Sequence, residues 1–84
     1  MTLKDITEKV KLELKQLTGF EPESVTSAKP EGKEWQVVVE LLEKSGIPDR
    51  MDILGIYNAK LDAKGNLLSY ERAGLRKRGD TVGQ

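Results

Sequence analysis

The chain of 84 residues contains no cysteine and no histidine. The first absence excludes any disulfide, and the two together exclude a zinc site built from thiolates and imidazoles. They also remove the Ser-His and Cys-His pairs on which most nucleophilic catalysis depends. No stretch approaches the 18 consecutive apolar residues of a membrane-spanning helix. The first 17 residues carry charges throughout and lack the unbroken apolar core of a secretory signal. These features, with the lack of cysteine, make the cytoplasm the expected location. Aromatic residues are 5% of the chain, too few to build the stacking platforms of single-stranded nucleic acid binding. Gly74, Gly79 and Gly83 do not form a phosphate-cradling loop, since they are widely spaced and follow no strand-to-helix turn.

The length fits one domain with a thin core, burying about 60% of the unfolded chain's surface. Charge balances overall at 14 basic and 14 acidic residues, but its placement is uneven. Residues 1–49 carry seven lysines against ten acids; residues 50–84 carry seven bases against four acids. The basic surplus lies in Arg72, Arg76, Lys77 and Arg78. Such polarity favours docking to a charged partner and is too weak to imply nucleic acid by itself.

The first segment predicts an amphipathic helix. Thr2 and Asp5 have the spacing of a capping box. Leu3, Ile6, Val10, Leu14 and Leu17 then recur every three or four residues, within a stripe about 80° wide. Gly19 is placed to end the helix in the left-handed conformation, with Phe20 folding back over the last turn. Glu21, Pro22 and Glu23 read as a turn.

Four strands follow. Residues 24–29 are poor in apolar side chains, which suits an edge position. Residues 34–43 alternate strongly, with Trp35, Val37, Val39 and Leu41 on one face. Residues 53–61 form the third strand, with apolar side chains on both faces, so periodicity leaves its register open. Residues 62–65 form a hairpin turn with Gly65 at positive φ. Residues 66–75 form the fourth strand, with Leu68 and Tyr70 expected to share a face. The predicted architecture is α+β: an N-terminal amphipathic helix packed on a four-stranded antiparallel β-meander. The domain is expected to end at residue 75, and residues 76–84 to form a flexible basic tail.

The search for chemistry favours binding over catalysis. Asp49 and Asp52 are the best carboxylate pair for a metal, but a divalent ion would need several more oxygens. Turn and cap hydrogen bonds to backbone amides suit them better. Glu40 and Glu43, three apart in a strand, point to opposite faces. The expected activity is therefore none, with no cofactor, no metal and no small-molecule substrate. Leu12 falls opposite the helix's apolar stripe. With Leu42, Leu54 and Ile56 on the second face of the sheet, it marks a docking surface. Asp49, Asp52, Arg72, Arg76, Lys77 and Arg78 complete the candidate contact set.

Several strings together resemble the gas vesicle protein O family. They are Leu17-Thr18-Gly19, the strand from Trp35 through Glu40, Ile47-Pro48-Asp49 with Asp52-Ile53-Leu54 and Tyr57, Leu61-Asp62 with Gly65, Leu68, and Tyr70-Glu71-Arg72. The likeness runs over residues 14–79. It implies a non-enzymatic accessory role in gas vesicle formation, in contact with shell or other accessory gas vesicle proteins. It implies a cytoplasmic location in association with gas vesicles, and no membrane insertion. The alternative reading is a small nucleic-acid-binding regulator using the basic end of the chain.

Overall fold

Thr2 opens the first element through a reciprocal cap. Its hydroxyl accepts the Asp5 amide at 3.2 Å, and the Asp5 carboxylate accepts the Thr2 amide at 3.3 Å. Helix α1 then spans Leu3–Thr18 and ends at Gly19, whose φ of 79° is the left-handed cap that the sequence predicts. This computed structural model describes residues 2–79. After α1 come β1 (Glu21–Glu31), β2 (Glu34–Lys44), a 3-10 turn (Asp49–Met51), β3 (Ile53–Leu61) and β4 (Leu67–Lys77). The strands form one antiparallel sheet in the order β1-β2-β3-β4, the predicted meander.

The helix covers one face of this sheet. Ile6, Val10 and Leu14 are fully buried against Val37, Val39 and Leu41 of β2 and Tyr57, Ala59 and Leu61 of β3. Each of the valine, leucine and isoleucine side chains stabilises the fold by about 1.5–3 kcal/mol. The odd-numbered residues of β3 thus settle onto the helix side, a register that alternation alone leaves open. Leu3 and Leu17, the ends of the apolar stripe, stay more than half exposed. Phe20 packs against the core as expected.

Two polar contacts set where the helix lies. The Lys9 ammonium donates to the Asn66 side chain at 2.8 Å, and the Glu13 carboxylate accepts the Leu67 amide at 3.0 Å. Asn66 closes the β3–β4 turn and Leu67 opens β4. That turn is organised by Asp62, whose carboxylate accepts the amides of Lys64 and Asn66 at 2.9 Å each. Gly65 takes φ 84° there.

The two edge strands differ from expectation. β1 begins at Glu21, not after a turn, because register shifts near Glu23 and Thr26 let the strand absorb two extra residues. In β4 a shift near Leu68 breaks the alternation, so Leu67 packs against the core and Leu68 is exposed. Tyr70 lies opposite Ala59 with its ring 6.4 Å from that of Tyr57, on the helix side. β4 also runs past the expected boundary at residue 75. Arg76 and Lys77 pair with Leu54 and Ile53. The amides of Arg78 and Gly79 then donate to the carbonyls of Asp52 and Arg50 at 2.8 and 2.9 Å. Residues 80–84 of the expected tail lie outside the described residues.

Candidate functional site: an ion-pair lattice at one end of the sheet

The start of β1, the end of β2, the start of β3 and the end of β4 meet at one end of the sheet. Four carboxylates there, Glu23, Glu40, Glu43 and Asp52, hold three arginines. On the face without the helix, Glu40 is 6% exposed. It receives Arg76 in a two-pronged contact, Nε at 2.6 Å and Nη2 at 2.8 Å. The Ser24 hydroxyl adds a longer contact at 3.4 Å. Arg76 stands beside Leu54, and Leu42 and Ile56 are neighbouring positions on the same face. The guanidinium hydrogen bond holds the Glu40 carboxyl below its ordinary value of 4.5, against the opposing push of burial.

The second node fixes the loop before β3. The Asp52 carboxylate accepts the Gly46 amide at 2.6 Å and Arg78 Nε at 3.0 Å. The other two nitrogens of Arg78 reach Glu23 on β1, at 3.2 and 2.6 Å. One side chain from the end of β4 therefore ties the loop to the far edge strand. The Gly46 hydrogen bond, ahead of the arginine, lowers the Asp52 carboxyl below 3.8.

The third node lies on the helix side. Glu43 sits where the β2–β3 register shifts. It accepts Arg72 Nε and Nη2 at 2.9 Å each, and the Tyr57 hydroxyl at 2.6 Å. The Arg72 contact lowers the Glu43 carboxyl. Burial, reinforced by Glu43, pushes the Tyr57 hydroxyl up to about 12.

These shifts decide what the lattice can do chemically. A general base for neutral pH needs a carboxyl raised toward 7, and a phenolic acid needs its hydroxyl lowered. The Glu40, Glu43 and Asp52 carboxyls move down and the Tyr57 hydroxyl moves up. The arrangement fixes structure and does not poise a proton. Among the described residues no group of three or more carboxylates is placed to hold a metal ion.

The family described as "Gas vesicle synthesis protein GvpO" matches this chain over residues 1–82. The chain belongs to that family. "Gas vesicle protein O" of Streptomyces sp. (strain CB03234) is 42% identical over 67 residues, covering 80% of this chain and 52% of the relative. The protein of the same name from Haloferax mediterranei is 39% identical over 67 residues, covering 79% and 48%. "Gas vesicle protein O1" of Halobacterium salinarum is 36% identical over 58 residues, covering 69% and 49%. The chain thus spans about half the length of the curated relatives it matches. No solved structure matches it.

In this member of the gas vesicle protein O family, the sequence-predicted contact residues do not form one surface. Leu12 is exposed on the outer side of the helix, away from the sheet. Leu42 and Ile56 are half-buried on the helix-free face. Leu54, expected to be open there, is 1% exposed. Its neighbour Arg76, clamped to Glu40, lies across that part of the face. Asp49 is exposed in the 3-10 turn, whereas Asp52 is buried in the lattice. Lys77 is exposed at the end of β4. Arg72, Arg76 and Arg78 are all engaged by carboxylates of the same chain.

Sequence reasoning passed over Glu23, Glu40, Glu43 and Tyr57 as members of the lattice. One signal was available: acids at the start of β1 and the end of β2 match the bases at the end of β4 once a meander is assumed. The remaining stretch of the helix-free face is polar. Two adjoining depressions of about 290 and 210 Å³ share Gln36 and Asn58 on its floor. Among the described residues no helix is long and apolar enough to cross a membrane.

Proposed function

We propose that this protein is a non-enzymatic accessory of gas vesicle formation, acting through contacts with shell or other accessory gas vesicle proteins. Membership of the gas vesicle protein O family is the observation that carries this reading. The chemistry of the lattice supports the non-enzymatic half, since Glu40, Glu43 and Asp52 are poorer bases and Tyr57 a poorer acid than when free. Of the residues expected to meet a partner, Leu12, Asp49 and Lys77 are exposed, and the contact is carried by Leu12 on the outer side of the helix. The protein works in the cytoplasm beside the growing vesicle.

The nucleic-acid alternative loses its main support. Three of the four basic residues it relied on are held by carboxylates within the fold. Their charge is locally neutralised, which weakens the attraction for phosphates.

The test is deletion of the gene in a gas-vesicle-forming cell, with complementation by the unaltered chain and by Leu12→Asp. Loss of vesicles in the deletion strain, restored by the unaltered chain, is the expected result. Tagged protein should also retain at least one gas vesicle protein, and Leu12→Asp should retain less. Normal vesicle number and shape after deletion, with no vesicle protein retained, would overturn the proposal.

A further inference from the structure

The two edges of the sheet differ in how open they are. β1 carries Pro22 and Pro30, whose nitrogens have no hydrogen to donate. Both edge strands shift register twice, near Glu23 and Thr26 in β1 and near Leu68 and Ala73 in β4, so the prolines are what set β1 apart. Prolines are a usual means of stopping an edge from accepting another strand. β4 has no proline. From Ser69 to Arg72 its register against β3 is unbroken. The exposed side chains Leu68, Tyr70 and Leu75 lie along it. The helix packs closest to β1, and Tyr70, on the helix side of β4, is left 40% exposed.

We propose that β4 pairs antiparallel with β4 of a second copy of this chain, about a two-fold axis at Tyr70. Charge selects this register. A two-fold pairing sets one residue against itself. Centred on Glu71 it would oppose two carboxylates, and centred on Arg72 two guanidinium groups, each destabilising. Centred on Ser69 it would set the short Glu71 carboxylate against the apolar Leu67, whereas centred on Tyr70 the charge facing a leucine is Arg72 opposite Leu68, where the arginine's methylene stem can pack on the apolar side chain. Centred on Tyr70 it opposes two aromatic rings and places each Ser69 hydroxyl against the Glu71 carboxylate of the other copy. Aromatic pairs are favourable across antiparallel strands, and a serine hydroxyl can donate to an ionised carboxylate. The axis stands perpendicular to the sheet. The product is therefore one continuous eight-stranded sheet with both helices on the same face. The pairing rests on the edge of the sheet and not on the gas vesicle reading.

The absence of cysteine makes the test direct. Directly opposed residues on antiparallel strands have Cα atoms about 4.5–5.5 Å apart, inside the ~4.4–6.8 Å range of a disulfide. Tyr70→Cys introduces a single thiol on the axis, and Thr26→Cys introduces one on the guarded edge. Under mild oxidation Tyr70→Cys should become mostly covalent dimer, while Thr26→Cys remains mostly monomer. In sedimentation equilibrium the unaltered chain should show a reversible monomer–dimer equilibrium. Tyr70→Lys should shift it at least tenfold toward monomer with an unchanged circular dichroism spectrum. If Tyr70→Lys does not fold, the cross-linking comparison decides. A monomer at every concentration up to millimolar, equal cross-linking at the two edges, or a dimer that survives Tyr70→Lys would each overturn the proposal. The last would place the interface elsewhere.

Discussion

Glu40 is a carboxylate in a setting that would otherwise be apolar. Val38 and Leu42 flank it along the strand and Ile56 lies opposite. It stays ionised because Arg76 supplies two donors in the right geometry. Removing one partner of a fully buried pair costs about 3–5 kcal/mol, because the other is left uncompensated. Arg76 keeps part of its surface in water, so the Arg76→Met change should cost less, about 2 kcal/mol. Glu40→Met should cost less still, since the long Arg76 side chain can turn its head to water. The double change should be milder than the sum of the singles. Urea unfolding of the three variants measures this. A strictly additive result would show that the two groups do not stabilise each other.

At the scale of elements, two glycines have opposite meanings. A Cβ on Gly46 would meet Met51 Cβ at 2.6 Å and the Met51 carbonyl carbon and oxygen at 2.7 and 2.8 Å. The backbone cannot yield as a side chain can, so Gly46→Ala should push the loop off the 3-10 turn. The strain, with the weakened Gly46–Asp52 hydrogen bond, should cost about 2 kcal/mol. A Cβ on Gly74 meets nothing within 4 Å. Gly74→Ala in the middle of β4 should be neutral or stabilising by about 0.5 kcal/mol, because alanine loses less backbone freedom on folding. Thermal unfolding of the two variants side by side gives the comparison. Equal effects would mean that the close approach of Gly46 to Met51 does not constrain the loop.

For the whole molecule, the lattice makes folding and the end of the chain interdependent. A chain ending at residue 75 would lack Arg76 and Arg78 and leave Glu40 and Asp52 buried without their cations. It should show no cooperative urea transition, whereas a chain ending at Gly79 should unfold cooperatively. A cooperative transition in the shorter chain would mean that the arginines are dispensable to the fold. The same lattice sets the pH dependence. The carboxyls of Glu40, Glu43 and Asp52 are lower in the folded state than their ordinary values of 4.5, 4.5 and 3.8. Their contribution is complete above those ordinary values and is lost as pH falls through the lower folded ones. Tyr57 has the opposite sign. Its hydroxyl is raised from 10 to about 12, so its contribution is complete below pH 10 and is lost as pH rises toward 12. Urea midpoints should therefore hold steady through neutral pH, fall on acidification below about 4.5 and fall again above 10. In Tyr57→Phe the alkaline fall should be smaller. An unchanged alkaline limb in that variant would remove Tyr57 as its source.

The sequence by itself determined the helix, the four strands and their order. Those features arise from neighbours along the chain. The Thr2–Asp5 cap, the Ile6-Val10-Leu14 spacing, the alternation from Trp35 to Leu41 and the Gly65 turn each act within a few residues. The strand boundaries and the fate of the basic end were decided only by the tertiary structure. Register shifts near Glu23, Leu68 and Ala73 change which face a side chain takes, and no local periodicity announces them. Arg72, Arg76 and Arg78 read as an open cationic surface because their acids lie far off in sequence. Arg78 and Glu23, 55 residues apart, meet only when the sheet has formed. Charge that looks available in a string is neutralised in the fold, because pairing across strands depends on register and not on order.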